Sequence, residues 1–197
     1  MTNARIVTLV LLSAMLAGCG TPLKQHFYTL RASADHEPAA TASGDFSVTV
    51  GPVTVPDMVD RPQFVLRAAA NRVILAEQAR WAEPLRSEIS YVIADNLRRL
   101  LTGVRVLAHP QYANSGAGYR VVVNVQRFDS VLGEAATVEA AWSVSYGVDG
   151  AAQGGRSVVR EPTGGNSYDD LVAAHGRALA AVSRDIAEAI RSAAASR

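Results

Sequence analysis

The side chain in this sequence best suited to chemistry is the thiol of its single cysteine, Cys19. Leu16, Ala17 and Gly18 precede it, which gives the tetrapeptide Leu-Ala-Gly-Cys. This spacing resembles a bacterial lipobox, where small residues allow a protease to approach the bond before the cysteine and the thiol receives diacylglycerol at the bilayer surface. We therefore predict that Cys19 is lipidated. A lone cysteine also excludes an intramolecular disulfide and a Cys-x-x-Cys zinc or redox site.

The residues before the cysteine have the pattern of an export signal. A basic side chain, Arg5, precedes an almost wholly apolar run at 6–16, as in a secretory signal peptide. A membrane-spanning helix needs about 20 apolar residues, and this run is too short. We expect residues 1–18 to be removed and the chain to remain bound through its lipid, whose three acyl chains, palmitate among them, anchor it stably. Gly20, rather than an aspartate, follows the cysteine and favours the outer membrane of a Gram-negative cell.

Composition indicates a folded body whose basic and acidic side chains balance. The chain has 197 residues, of which 49% are hydrophobic and 19% charged, and this fits one globular domain. Nineteen Lys and Arg residues, one of them in the leader, stand against 18 Asp and Glu. They are scattered, without the basic stripe that nucleic-acid binding requires, so we expect no nucleic-acid partner.

Motifs of catalysis are missing from the sequence. It contains no G-x-S-x-G, H-E-x-x-H, Walker A or G-x-G-x-x-G arrangement. Asp169 and Asp170 are adjacent on a predicted helix and point about 100° apart, so we interpret them as helix-capping residues and not as a catalytic pair. We predict no enzyme activity, no cofactor and no metal. The four histidines have no partner four residues away for a metal and are interpreted as solvated or structural: His26, His36, His109 and His175.

A proline-punctuated segment at 51–63 is the best candidate for a binding surface, because its prolines should hold it extended on the surface. It supplies hydrogen-bonding side chains, and the following helix start adds an arginine and a tryptophan, which are enriched in interface hot spots. The candidate partner-binding residues are Asp60, Arg61, Gln63, Arg80 and Trp81. The alternative is that Trp81 only closes the sheet edge and that Arg61 pairs with Asp60 or Glu83.

The elements that must position these residues are strands separated by two helices. Alternating residues predict strands and four-residue apolar spacing predicts helices. The expected strands are 27–30, 46–50, a hairpin of 63–67 and 72–76, 104–107, 121–126, 138–146 and 156–160, and the expected helices are 84–101 and 167–191. We predict an α+β fold with a mainly antiparallel sheet and two amphipathic helices packed on one face. The predicted organisation is a signal peptide at 1–18, a lipidated N-terminus with a short strand and tether at 19–45, and one domain at 46–197.

Several sequence blocks, in order, resemble one known family. They are V-G-P-V-T-V-P-D-M-V-D-R-P-Q-F-V-L-R from Val50, N-R-V-I-L-A-E-Q-A-R-W-A-E-P-L from Asn71, R-F-D at 127–129, A-W at 141–142, and Y-D-D-L-V-A-A-H at 168–175, which leads to D-I-A at 185–187. Together they are similar to the ABC-type transport auxiliary lipoproteins, the PqiC/YmbA-like proteins.

This resemblance implies a non-enzymatic, periplasm-facing outer-membrane lipoprotein of an MCE-type, PqiABC-like intermembrane lipid transport system. It implies an MCE-domain (PqiB-like) partner and a homo-oligomer. Cys19 is the one functional position that transfers by its motif. The alternative function is a structural or assembly lipoprotein for an outer-membrane barrel or the cell wall.

Overall fold

The computed structural model describes residues 24–33, 46–108, 118–147 and 150–196. Within these ranges the chain forms one eight-stranded sheet and two helices. The strands are β1 (His26–Tyr28), β2 (Ser47–Thr54), β3 (Gln63–Ala69), β4 (Arg72–Trp81), β5 (Arg105–Ala108), β6 (Gly118–Val131), β7 (Ala135–Tyr146) and β8 (Gln153–Pro162), and the helices are α1 (Leu85–Leu100) and α2 (Tyr168–Ala195). The two helices and the long hairpins predicted from the sequence are confirmed.

Strand β6 is the centre of the sheet. Along one side it pairs antiparallel with β7, which in turn pairs with β8. Along the other side, its first half runs parallel to β2, while its end meets β3 through the pair Leu66 and Ser130. Beyond β2 lies β5, and beyond β3 lie β4 and then β1. The β3–β4–β1 group therefore forms one corner of the sheet.

The prediction of a mainly antiparallel sheet is wrong, because the sheet is mixed. Of the seven strand pairings among the described residues, four are parallel: β1–β4, β2–β5, β2–β6 and β3–β6. Parallel neighbours need a long crossover, usually a helix, and here the chain passes from β2 to its parallel neighbour β5 through the β3–β4 hairpin and α1. Alternation in a sequence indicates which residues are extended, but not which strand each one joins.

Both helices lie on the same face of the sheet. In β6, Val121, Val123 and Val125 are buried, whereas Arg120 and Asn124 on the opposite face are exposed. Helix α1 packs on β2 and β5, α2 packs on β7 and β8, and the two helices touch each other. The apolar stripes of both helices, including Ile89, Ile93, Leu97, Leu171, Val182 and Ile186, close the core over the buried valines.

The N-terminal arm is part of this folded body. Strand β1 pairs parallel with β4, and Leu30 is buried, with its backbone N–H donating to the Glu88 carboxylate at 2.8 Å. Burial raises the pKa of Glu88, and the hydrogen bond from Leu30 partly opposes this shift. None of the helices in the described ranges has the length and apolarity needed to cross a membrane.

The proline-punctuated segment divides into two parts. We expected 51–63 to run extended over the surface, but 51–54 completes β2, where Val53 is buried and pairs with Val123. The Gly51–Pro52 bond in this strand is cis. The chain then leaves the sheet and turns, with the N–H of Asp60 donating to the Pro56 carbonyl at 3.2 Å. The exposed part is thus a turn and not an extended strand.

Candidate functional site

An open groove of about 450 Å³ lies where the turn before β3, the end of β4 and the start of α1 meet. Four of the five candidate partner-binding residues line it: Asp60, Arg61, Arg80 and Trp81. The fifth, Gln63, begins β3 and lies beside the groove, directly opposite Arg80 in the hairpin register. Residues chosen from two separate stretches of sequence therefore come together on one surface.

The turn that forms one wall is held by contacts at both ends. Asp60 forms an ion pair with Arg86 in the first turn of α1. The backbone N–H of Trp81 donates to the Pro62 carbonyl at 2.7 Å, which fixes the turn to the end of β4. The Asp60 carboxylate is therefore neutralised by α1, and the alternative in which it pairs with Arg61 is not what the structure contains.

Two guanidinium groups of the groove lack full partners within the described part of the chain. Arg61 is exposed and has no ion pair there. Arg80 reaches only the exposed Glu77, at 3.9 Å, and its buried Nε has no hydrogen-bond acceptor. With Arg86 paired to Asp60, Glu83 is the remaining carboxylate of the lining. The groove thus carries a net positive charge and can accept a carboxylate or another anionic group.

The floor of the groove is aromatic. Trp81 is 6% exposed, with its ring centroid 4.1 Å from that of Phe64 and 6.2 Å from that of Phe128. Tyr28 and Tyr168 extend this cluster on the other side of Phe64, at centroid distances of 5.2 and 5.7 Å. Trp81 therefore belongs mainly to the core, and only its rim contributes to the groove.

Sequence reasoning did not single out two residues of this site, Phe27 and Arg86. Phe27 lies in β1, lines the groove and is 63% exposed, although it is large and apolar. Phe27 also lines a second open cavity, of about 400 Å³, to which Arg31, Asp169 and Val172 contribute. Nothing in the sequence around Phe27 indicates which face of the short strand is exposed. Arg86 joins the site through its ion pair with Asp60, which depends on the turn reaching α1 in three dimensions.

A serine and a histidine also come together, but in the core. The Nε2 atom of His175 lies 2.8 Å from the Ser130 hydroxyl, and its ring stacks on Phe128 at 3.9 Å. Burial lowers the pKa of His175 to about 3, against a weaker opposing effect of Asp129. His175 is 1% and Ser130 5% exposed. A substrate cannot reach this pair, so we interpret it as a bond that fixes α2 to β6.

The neighbouring Asp129 is held by two arginines. Its carboxylate accepts from Arg67 at 2.8 Å and from Arg127 at 2.6 Å. Burial alone would raise the pKa of Asp129, but the hydrogen bonds and charges of Arg67 and Arg127 outweigh burial and lower it. This cluster ties the β3–β4 hairpin to the end of β6.

The lipobox residues Leu16, Ala17, Gly18 and Cys19 lie outside the described residues, as does most of the expected tether. In the ranges that are described, no group of three or more His, Cys, Asp or Glu side chains is arranged to hold a metal ion.

Comparison with known proteins gives a matching family and similar solved folds. The family model for the ABC-type transport auxiliary lipoprotein component matches residues 28–187. A crystal structure of an uncharacterized protein has a TM-score of 0.70 and 20% identity, covering 85% of this chain and 99% of its own. The DUF330 protein XCC0632 from Xanthomonas campestris has a TM-score of 0.65 and 17% identity, covering 82% and 92%. No curated protein matches the sequence. At these identities the solved structures support the fold alone.

Proposed function

Because this chain belongs to the ABC-type transport auxiliary lipoprotein family, we propose that it is the lipid-anchored subunit of an MCE-type, PqiABC-like intermembrane lipid transport system. In this proposal it faces the periplasm from the outer membrane and docks an MCE-domain (PqiB-like) partner. The observation that carries the docking role is the groove, which gathers Asp60, Arg61, Arg80 and Trp81 from two parts of the sequence.

The anchor is proposed to be the lipidated Cys19, after removal of residues 1–18. Five residues, 20–24, separate Cys19 from Gln25, and strand β1 begins at His26. At about 3.5 Å per residue, the anchor lies within about 25 Å of β1. The folded body would therefore stay near the bilayer surface. The groove would lie beside β1, where the chain from the anchor enters the folded body.

The groove has the composition of a docking site. An aromatic floor is surrounded by arginines, and both residue types are enriched at the energetic centres of interfaces. Arg61 and the incompletely bonded Arg80 favour a partner surface with carboxylates. We further propose that the subunit works as a homo-oligomer.

The role is proposed to be non-enzymatic. The one serine–histidine contact of the described core, between Ser130 and His175, is closed to solvent. Its imidazole is held neutral by burial, so it serves packing rather than proton transfer to a substrate.

Crosslinking in native membranes tests the proposal. A tagged full-length chain should capture an MCE-domain protein, while the unlipidated Cys19→Ala chain should capture much less of it because it leaves the membrane. Arg61→Glu should reduce capture, and Arg72→Glu, at an exposed hairpin position away from the groove, should not. If the abundant, folded and lipidated chain captures no MCE-domain protein, the transport role is wrong. Capture of an outer-membrane barrel protein or of cell-wall fragments instead would support the assembly or structural alternative.

A further inference from the structure

Within the described residues, strand β1 is paired along one backbone edge only. Its register with β4 runs from His26 opposite Ala79 to Tyr28 opposite Trp81, and no other described strand pairs with it. The Tyr28 carbonyl accepts a hydrogen bond from the Ala82 N–H at 2.9 Å. The backbone N–H and C=O of Tyr28 therefore face β4. Successive strand residues direct these groups to opposite sides. The N–H and C=O of Phe27 therefore face outward.

Phe27 lines two cavities. One is the groove of about 450 Å³, and the other is the cavity of about 400 Å³ next to Asp169 and Val172 of α2. When an extended peptide adds to a sheet edge, the backbone supplies hydrogen bonds and alternate side chains enter pockets on the two sides. The surroundings of Phe27 offer both features at one place.

The charges around this edge favour an acidic segment. Arg61 has no ion pair within the described residues, and Arg80, directly opposite Phe27 in the register, is incompletely hydrogen-bonded. In the second cavity, Arg31 and Asp169 both contribute to the lining, so their charges offset each other. The net attraction is therefore for a carboxylate on the groove side.

We propose that β1 accepts an added strand, an extended segment of the MCE-domain partner whose backbone pairs with Phe27. An apolar side chain of this segment fills the groove above Phe27 and the rim of Trp81, and an acidic side chain meets Arg61. This rests on the proposed function, since it assigns the contact through which the same partner docks.

Variants at Phe27 separate backbone pairing from side-chain contact. Phe27→Pro removes the outward N–H but leaves the β1–β4 hydrogen bonds, which come from the neighbouring residues, and proline is tolerated where an edge strand faces solvent. Phe27→Val removes the ring and keeps the N–H. We expect Phe27→Pro to weaken partner binding about tenfold relative to Phe27→Val. Val158→Ala, at a position 60% exposed on the opposite edge strand, should leave binding unchanged.

Hydrogen exchange of the Phe27 amide keeps the test valid even if Phe27→Pro fails to fold. In the purified full-length chain this amide should exchange quickly, and in the captured complex with the MCE-domain protein it should be protected at least tenfold. If the complex forms but Phe27 exchanges as in the free chain, strand addition is wrong and the transport role stands. If the Phe27 amide is already protected in a dilute sample of the free chain, the chain's own residues cover the edge. If its protection rises with the concentration of the free chain, a second copy covers the edge. Either result overturns the proposal. If no MCE-domain protein is captured, both proposals are wrong.

Discussion

The Ser130 hydroxyl and the Nε2 atom of His175 lie 2.8 Å apart in the core, where they join the first third of α2 to the end of β6. The other ring nitrogen of His175, Nδ1, is buried and has no hydrogen-bond partner in the part of the chain that the structure describes. A protonated imidazole would place a buried charge at this position, which the weaker attraction of Asp129 offsets only in part. The fold therefore requires the neutral form of His175.

The stability of the protein should decrease on acidification because of His175. Its pKa is about 3 in the folded state, against about 6.5 when unfolded. Between these values the unfolded chain binds more protons, so the free energy of unfolding falls as the pH drops from 6.5 towards 3, by up to about 1.4 kcal/mol per pH unit. Chemical denaturation between pH 4 and 6.5 measures this slope.

The matched control for this slope is His175→Gln, whose amide can still bond to Ser130 but does not titrate. Its unfolding free energy should change much less over the same pH range. Asp129, whose pKa is lowered from 3.8, contributes to the slope at the acidic end in both proteins, so its share cancels in the comparison. An equal slope in both proteins would show that His175 is not the titrating group.

Trp81→Ala should destabilise the fold strongly. The side chain is 6% exposed and packs against Phe64, and removal of a buried tryptophan costs about 3–5 kcal/mol. Phe27→Ala is the control, because it also removes an aromatic ring, but one that is 63% exposed; it should cost within about 0.5 kcal/mol. A loss under about 1 kcal/mol for Trp81→Ala, measured by denaturant unfolding, would contradict its place in the core.

Gly155→Ala should destabilise the β7–β8 pair, whereas Gly154→Ala should not. A methyl group at Gly155 would lie 2.3 Å from the Trp142 ring, and the nearest atom to one at Gly154 is 3.6 Å away. The crowded indole would have to move and strain its hydrogen bond to Ser157, now 3.0 Å long. We expect a loss of about 1–3 kcal/mol for Gly155→Ala. Equal melting temperatures for the two variants would contradict this packing.

Cys19→Ala should change location without changing the fold. The substitution removes only the proposed lipid attachment, and Cys19 lies before the body that starts at His26. The melting temperature should stay within about 1 °C of the purified wild-type chain, since surface changes rarely exceed about 0.5 kcal/mol. Mild alkaline washing should leave the wild-type chain in the membrane and release any processed Cys19→Ala chain. Retention of both would count against the anchor.

Local patterns were sufficient to predict most elements. The four-residue spacing of Leu85, Ile89, Ile93 and Leu97 predicted α1, and Ser167 correctly predicted the start of α2, where its side chain and that of Asp170 form a capping box. Such signals depend on neighbours within about one helical turn. They are therefore readable without knowing the tertiary structure.

Relations between distant segments were not predictable in the same way. The parallel pairing of β2 with β6 depends on how the chain returns after α1, and no residue of β2 encodes it. Likewise, the exposure of Phe27 and the pairing of Asp60 with Arg86 follow from where β1 and the turn lie in three dimensions. The candidate residues were chosen for their types, and only the fold shows that four of them share a groove while Trp81 is mostly in the core.

The proposed docking role depends most on the lipid anchor at Cys19, and the mass of the mature N-terminal peptide tests this anchor directly. Purified from its native membrane, the chain should begin at Cys19, lack residues 1–18, and carry a diacylglycerol on the thiol and a third acyl chain on the amino group. A mature chain with a free Cys19 thiol, or one that retains residues 1–18, would contradict the lipoprotein assignment for this chain and the membrane-bound docking role built on it.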